Sequence, residues 1–135
     1  MNSANENHKD ALNFIREYNE CFYKRDLVGL KGLYSSENFL AFWDNHEGCD
    51  SASLDDHFSK ISDFFRNGKQ TESGTIEELM VENEQIRVFG HGLLVTAVLR
   101  YASAPKPGVR STFCLVQEKG RWQAAHIHHS FDPNE

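Results

Sequence analysis

Two β-prone runs joined by a tight turn, over residues 109–130, constrain the fold of this chain more than any other feature. The first run covers residues 109–117, the turn is Glu118-Lys119-Gly120, and the second run covers residues 121–130. Val, Thr, Phe and Trp favour strands, and a short segment containing glycine between two such runs is typical of a β-hairpin. We therefore expect two antiparallel strands over this stretch.

The polar residues of this hairpin fall into sets that share a face, because side chains alternate across a strand. Arg110 and Thr112 share one face of the first strand. His126, His128 and Ser130 share a single face of the second strand. A strand that aligns imidazoles and a hydroxyl near an arginine predicts either the wall of a pocket or an unusually polar packing surface.

Ahead of the hairpin, apolar residues recur at the spacing of an amphipathic helix. The pattern predicts a first helix from His8, then a brief break near Arg25-Asp26, then a second short helix that carries Leu30 and Leu33. The apolar stripe of the first helix consists of Leu12, Ile15, Tyr18 and Phe22, and Ala11 and Phe14 widen it.

The middle of the chain predicts a third helix between two groups of strands. Residues 39–43 indicate a short aromatic strand, and Ser53 is suited to cap a helix that ends near Asn67-Gly68. The chain is strand-like after that point, with a loop expected at residues 104–108 because two prolines remove donors from a sheet. Helices followed by a meander of strands predict an α+β fold, with the helices covering one face of a curved antiparallel sheet.

Length, charge and cysteine usage favour a single soluble domain. The chain has 135 residues and a net charge of 14 − 20 = −6, without basic clusters, which argues against nucleic acid and anionic membranes as partners. Cys21, Cys49 and Cys114 form no CxxC pair and are expected to be free thiols in a reducing compartment. The polar first ten residues and the lack of a long apolar run favour a cytoplasmic protein.

The hairpin also carries motifs that point to a family. Arg110-Ser111-Thr112, Lys119-Gly120-Arg121-Trp122 and residues 126–130 resemble the ending of SnoaL-like proteins of the NTF2-like superfamily, in the subgroup near the association domain of calcium/calmodulin-dependent protein kinase II. The resemblance implies a cystatin/NTF2-like cone over residues 8–131. Residues 1–7 are expected from the sequence itself to be a disordered tail. It also implies three N-terminal helices packed on the sheet, a deep pocket between them, and a homodimer formed through the outer sheet face.

Several residues are candidates for binding a ligand in that pocket. Arg110 is suited to bind a carboxylate or enolate oxygen, with a structural ion pair as the alternative role. Arg100 is a candidate for the same two roles. The fold that the resemblance implies turns Tyr18 and Trp43 inward, although plain core packing is the alternative for any aromatic residue. The remaining ligand-binding candidates are Thr112, Phe58 and Ser130.

The candidate catalytic residues are two histidines and one aspartate. His126 and His128 lie about 6–7 Å apart along a strand, so they could hold a metal only with a third ligand. His129 points to the opposite face, and the sequence places no cysteine or carboxylate beside the pair. We therefore expect no metal and no cofactor. Asp44 could act as a general base if burial raised its pKa, or it could be a turn residue bonded to its own backbone.

Three functions remain open from the sequence. The first and favoured one is binding of a small organic anion or carbonyl compound in the pocket. The second is an isomerase, cyclase or dehydratase that needs no cofactor and in which a histidine moves a proton. The third is an assembly module that works through the outer sheet face.

Overall fold

The computed structural model describes residues 4–35, 39–43, 53–67, 79–102 and 104–135. Over these residues the chain forms, in order, α1 (Ala4–Lys24), α2 (Leu27–Lys31), β1 (Leu40–Trp43), α3 (Leu54–Asn67), β2 (Leu79–Phe89), β3 (Gly92–Tyr101), β4 (Ala104–Glu118) and β5 (Arg121–Phe131). The sheet order is β1-β5-β4-β3-β2. β1 runs parallel to β5, whereas β2 to β5 form an antiparallel meander.

The first helix packs on the sheet through the apolar stripe that the sequence predicted. Phe14 meets Phe113 of β4 edge-on, with 6.0 Å between the ring centroids. The indole N–H of Trp122 donates to a carboxylate oxygen of Asp10 at 3.0 Å, which ties the helix to β5. The helix begins at Ala4, so residues 4–7, expected to lie in a disordered tail, are helical. Glu6 in the first turn interacts favourably with the helix dipole and helps to extend the helix toward its N-terminus.

A break and a capped second helix follow, as predicted. Arg25 has a positive φ of 53°, which ends α1. The backbone N–H of Gly29 donates to the Asp26 carboxylate at 2.9 Å, so Asp26 caps α2. The chain then runs beside β5, where Ser35 N–H donates to the carbonyl of Ala124 at 2.8 Å.

The predicted hairpin is present as β4 and β5. Its two turn residues, Lys119 and Gly120, have φ values of 54° and 76°, the left-handed conformation that a two-residue hairpin turn requires. A bulge shifts the register between Cys114 and Leu115. Because of this bulge Ala124 and Ile127, three residues apart, are both fully buried against the helices.

The expected loop at residues 104–108 is the first part of β4. Pairing with β3 is sparse there: Tyr101 pairs with Ala104, and the next pair is Leu99 with Val109. The prolines therefore sit where few ladder hydrogen bonds are lost.

The α+β architecture is confirmed. Buried apolar side chains from α1 meet buried apolar side chains from the strands, among them Ala11, Phe14, Ile15, Phe113, Leu115 and Ile127. Among the described residues, no helix combines the length and the apolar character needed to cross a membrane.

Arg100 on β3 anchors the residues that follow β5. Its guanidinium donates to both carboxylate oxygens of Glu135 at 2.9 and 3.0 Å and to Glu82 at 2.8 Å. The N–H of Gly108 donates to the same Glu135 carboxylate at 2.7 Å. These contacts lower the pKa of Glu135 to about 2, the Arg100 hydrogen bonds contributing most.

We expect Glu135→Gln to lower the melting temperature at pH 7, because the bidentate pair needs a charged carboxylate. The folded pKa of about 2 lies below the ordinary 4.5, so the pair stabilises the protein above pH 4.5 and this contribution is lost as the pH falls toward 2. The difference in melting temperature between the variant and the wild type should therefore be smaller at pH 3.5 than at pH 7. The control is Glu20→Gln, which breaks an exposed pair with Lys24 and should change little. An equal loss in both variants would contradict the anchoring role.

Candidate functional site

A row of five buried polar side chains, linked by hydrogen bonds into a group of three and a group of two, crosses the interior between the helices and the sheet. Ser111 Oγ lies 2.7 Å from Nδ1 of His129, and Nε2 of His129 lies 3.0 Å from the hydroxyl of Tyr18. The rings of Tyr18 and Tyr34 meet edge-on, with 6.4 Å between their centroids. The hydroxyl of Tyr34 lies 3.1 Å from Nε2 of His57. Each of the five residues is at most 5% exposed. We call this set the polar chain.

Each layer of the fold contributes to the polar chain. Ser111 and His129 are direct partners across β4 and β5, which brings the hydroxyl to the imidazole. Tyr18 comes from the apolar stripe of α1. Tyr34 is fixed by a parallel bridge to Ala124 of β5. His57 lies in the first turn of α3, where its N–H donates to the carbonyl of Ser53 at 3.0 Å.

Aromatic rings surround the polar chain. The ring of Phe113 lies 5.5 Å from that of Tyr18 and 5.7 Å from that of His129, both edge-on. Phe39 and Phe58 pack against Tyr34 with centroid distances of 4.6 and 5.3 Å. The polar groups thus sit in a low-dielectric setting, where hydrogen bonds are stronger and unpaired groups are costly.

Burial keeps Tyr18, Tyr34 and His57 uncharged at neutral pH. Desolvation is the main cause that raises the pKa values of Tyr18 and Tyr34 well above 10.0. Desolvation also lowers the pKa of His57 to about 4, aided by the nearby charge of Lys60. Among the described residues, the fully buried polar side chains besides the two tyrosines are Ser35, His57, Ser111 and His129, and none belongs to Lys, Arg, Asp or Glu.

The structure places the predicted hairpin residues on the face of the sheet that points away from α1. Arg110 pairs with Ser130, and Thr112 pairs with His128, so these residues do share a face. Arg110 is exposed, whereas Thr112, His128, Ser130 and also His126 are half-buried. These residues therefore lie on the face opposite buried Phe113 and Ile127, and their role in binding a ligand stays a prediction. Both faces of the two strands carry polar residues, so alternation defined the two sets without showing which set the helices cover.

The other candidate residues lie in different parts of the fold, some at the polar chain and some away from it. Tyr18 is part of the polar chain, and Phe58 packs against it. Arg100 holds Glu135 and Glu82 instead of facing this interior. Trp43 lies in β1 at the register position of His129. Asp44 lies outside the described residues.

Sequence reasoning missed four members of the polar chain: Ser111, His129, Tyr34 and His57. Ser111 and His129 occupy matching positions on the two strands, so the hairpin register could have paired them. Tyr34 and His57 lie 23 residues apart, and nothing in their local patterns links them.

The described residues contain no group of three His, Cys, Asp or Glu side chains that could hold a metal ion. Cys114 is the register partner of His126 on the outer face. Burial raises the pKa of the Cys114 thiol, which keeps it protonated at neutral pH.

Comparisons with known proteins match this chain to a family model and to solved structures of the same fold. The model of the SnoaL-like domain family matches residues 11–133. None of the curated proteins with which the chain was compared matches it.

Solved structures with the same fold include proteins of several kinds. The CaMKII hub of S. rosetta is 20% identical with a TM-score of 0.69, covering 92% of this chain and 95% of that one. An NTF2-like protein of unknown function from Pseudomonas putida KT2440 is 15% identical with a TM-score of 0.73, covering 95% and 87%. A putative ketosteroid isomerase from Shewanella frigidimarina NCIMB 400 is 15% identical with a TM-score of 0.65, covering 87% and 92%. At these identities the likeness shows a common fold, and function has to be argued from the site.

Proposed function

This chain belongs to the SnoaL-like domain family, and we propose that it binds a small, uncharged carbonyl compound between its helices and its sheet. The observation that supports this proposal is the polar chain. A few hydrogen-bonding groups that converge in an aromatic interior are the usual composition of a small-molecule site. Burying polar groups without such partners is costly, so five of them in one apolar core favour a functional role.

The absence of charge in the described interior favours a carbonyl compound over an organic anion. The sequence suggested an anion because Arg110 was expected in the pocket, but Arg110 is exposed on the opposite face. A carboxylate placed beside the polar chain would be buried without a cationic partner among the described residues, which costs several kcal/mol. Phenol hydroxyls and neutral imidazoles, in contrast, are suited to a neutral C=O group.

The same geometry supports an enzyme as the second candidate. His129 bridges a serine and a tyrosine hydroxyl, an arrangement that can pass a proton to or from a bound compound. Hydroxyl donors on a carbonyl oxygen would also stabilise negative charge that develops on that oxygen. The reaction would be an isomerisation, cyclisation or dehydration, detectable as exchange of protons next to the carbonyl of the bound compound.

The outer sheet face supports a homodimer. Thr96, Thr112 and His128 form a row across three strands of that face. Such a row can pack against its counterpart in a second copy around a two-fold axis. An assembly role would depend on this face and not on the polar chain.

We expect uncharged ketones to stabilise the protein and matched carboxylates to have no effect. At ten times its dissociation constant a ligand adds about 1.4 kcal/mol, which raises the melting temperature by roughly 5 °C. The probes are acetophenone and benzoate, which share a phenyl ring and differ in charge. Tyr18→Phe should remove the response to acetophenone because it deletes the hydroxyl that links α1 to His129.

Arg110→Ala is the matched control, since it changes a candidate on the opposite face and should leave the ketone response unchanged. The proposal would be wrong if benzoate stabilised the wild type and Arg110→Ala abolished that effect, because the site would then lie on the outer face. A thermal response to neither probe nor to other ketones and aldehydes would also contradict it.

A further inference from the structure

We infer that the guanidinium of Arg100 and the backbone N–H of Gly108 form a recognition site for a carboxylate on an acidic segment of a partner protein. We call these two groups the carboxylate cradle. Within this chain Glu135 occupies the cradle and so competes with such a partner. The cradle is separate from the polar chain, so this inference does not depend on the proposed function.

Three donors of the carboxylate cradle converge on one carboxylate. Nη1 and Nη2 of Arg100 donate to Oε1 and Oε2 of Glu135 at 2.9 and 3.0 Å. The N–H of Gly108 donates to the same Oε1 at 2.7 Å. A guanidinium whose two nitrogens meet the two oxygens of a carboxylate recognises the planar shape of that group as well as its charge.

Residues other than Glu135 hold the Arg100 side chain in place. Its Nε donates to the Glu82 carboxylate at 2.8 Å, and its Nη1 donates to the carbonyl of Pro105 at 2.9 Å. The Arg100 side chain is 16% exposed. A guanidinium that is already oriented loses little freedom when it binds, so the cradle is prepared for a carboxylate from any source that reaches it.

The glycine at position 108 is required for the close approach of these groups. A Cβ atom there would lie 2.7 Å from Cγ1 of Val98 and 3.0 Å from Nη1 of Arg100. A side chain at this position would therefore push the guanidinium away from the backbone. With glycine, the N–H of residue 108 and the Arg100 guanidinium both reach the same carboxylate oxygen.

The segment that supplies Glu135 has a backbone anchor at one end and the cradle at the other. The N–H of Asp132 donates to the carbonyl of Gly108 at 2.9 Å. Two further hydrogen bonds stay within the segment, from the N–H of Asn134 to the Asp132 carboxylate and from the N–H of Glu135 to the Asp132 carbonyl. A competing carboxylate can therefore displace Glu135 while β5 stays paired.

The charges around the cradle favour an acidic partner. After the hydrogen bonds from Arg100 and Gly108, the charge of Lys106 also helps to lower the pKa of Glu135. Arg110, two residues beyond Gly108 on the same strand, is exposed. Cations grouped around a binding site attract acidic segments and speed their association. Residues 132–135 of this chain, with an acidic residue at each end, show the kind of segment that fits.

The first test empties the cradle with Glu135→Ala and refills it with acetate. Alanine keeps Cβ, and acetate supplies the carboxylate and one further carbon. At ten times its dissociation constant, acetate should raise the melting temperature of the variant by roughly 5 °C, without a comparable effect on the wild type, whose cradle is filled. Acetamide, which is uncharged, and sodium chloride at the same ionic strength should not reproduce the rise. Glu20→Ala, which removes an exposed partner of Lys24, is the matched control and should not respond to acetate.

The second test asks whether a protein segment binds in the same place. The probe is a fluorescent peptide with the sequence of residues 130–135 and blocked ends, and anisotropy measures its affinity. It should bind Glu135→Ala at least about tenfold more tightly than the wild type, because Glu135 of the wild type competes at a high effective concentration. A peptide with glutamine in place of its last glutamate should lose this binding. If Glu135→Ala fails to fold, Glu135→Gln takes its place in the peptide measurement, since a neutral amide is a weaker competitor than a carboxylate.

Each result decides a different part of the inference. Stabilisation by acetate together with binding of the peptide supports it. Stabilisation by acetate without binding of the peptide shows that the cradle accepts small carboxylates only, and the protein partner is then wrong. If acetate has no effect on folded Glu135→Ala and the peptide does not bind, Glu135 and Arg100 form a structural ion pair and the whole inference is overturned.

Discussion

Phe113→Ala should destabilise the protein by about 3–5 kcal/mol, the range for removing a large aromatic ring from a close-packed core. Phe113 is fully buried at the middle of β4, and its ring contacts Phe14, Tyr18 and His129. Its loss would leave a cavity between α1 and the sheet, at the point where the polar chain crosses the core. A domain of this size has a free energy of unfolding of roughly 7–20 kcal/mol, so this loss is a large share of it.

Urea denaturation of the variant and the wild type at pH 7.5 measures this loss directly. Phe89→Ala is the matched control, because it removes the same side chain at a position that is 50% exposed at the end of β2. We expect the control to change the free energy of unfolding by no more than about 0.5 kcal/mol. If Phe113→Ala were as mild as Phe89→Ala, the packing of α1 against β4 described above would be wrong.

The elements of this fold were largely predictable because their signals are local. The hairpin follows from β-prone runs around Lys119-Gly120, and the break between α1 and α2 follows from Asp26, which is suited to cap a helix. Each signal depends on a few neighbouring residues and on the chemistry of one turn or cap. The loop expected at residues 104–108 shows the limit of such signals. Proline excludes a strand only where the ladder needs its missing N–H, and the sparse pairing of that stretch depends on β3.

The candidate site was predictable only in part, for a different reason. Alternation along β5 separated His126 and His128 from His129, and the structure keeps them on opposite faces. The sequence did not show which face α1 covers. The polar chain joins Tyr18 to a histidine 111 residues away, and a contact at that separation leaves no trace in either local pattern.

Acid should destabilise the folded protein through His57 well before it affects Glu135. Burial lowers the pKa of the His57 imidazole from 6.5 to about 4. Between these two pH values His57 is neutral in the folded protein, whereas the unfolded chain binds a proton there. Protons bound by the unfolded state favour unfolding, and stability therefore falls as the pH drops from 6.5 to 4. A shift from 6.5 to about 4 corresponds to a loss of about 3 kcal/mol over that window.

Urea denaturation at pH 7.5, 6, 5 and 4.5 follows this loss in the wild type and in His57→Gln. The variant should be less stable at pH 7.5, since it loses the imidazole partner of Tyr34, but its stability should depend much less on pH over the same range. His91→Gln changes an exposed histidine in the turn between β2 and β3 and should keep the wild-type dependence. The charges nearest His57 act in opposite directions, since Lys60 lowers its pKa and Asp56 raises it, so desolvation sets the sign. An unchanged pH dependence in His57→Gln would mean that His57 is hydrated in the folded protein. The low-dielectric environment assigned to the polar chain would then not extend to His57.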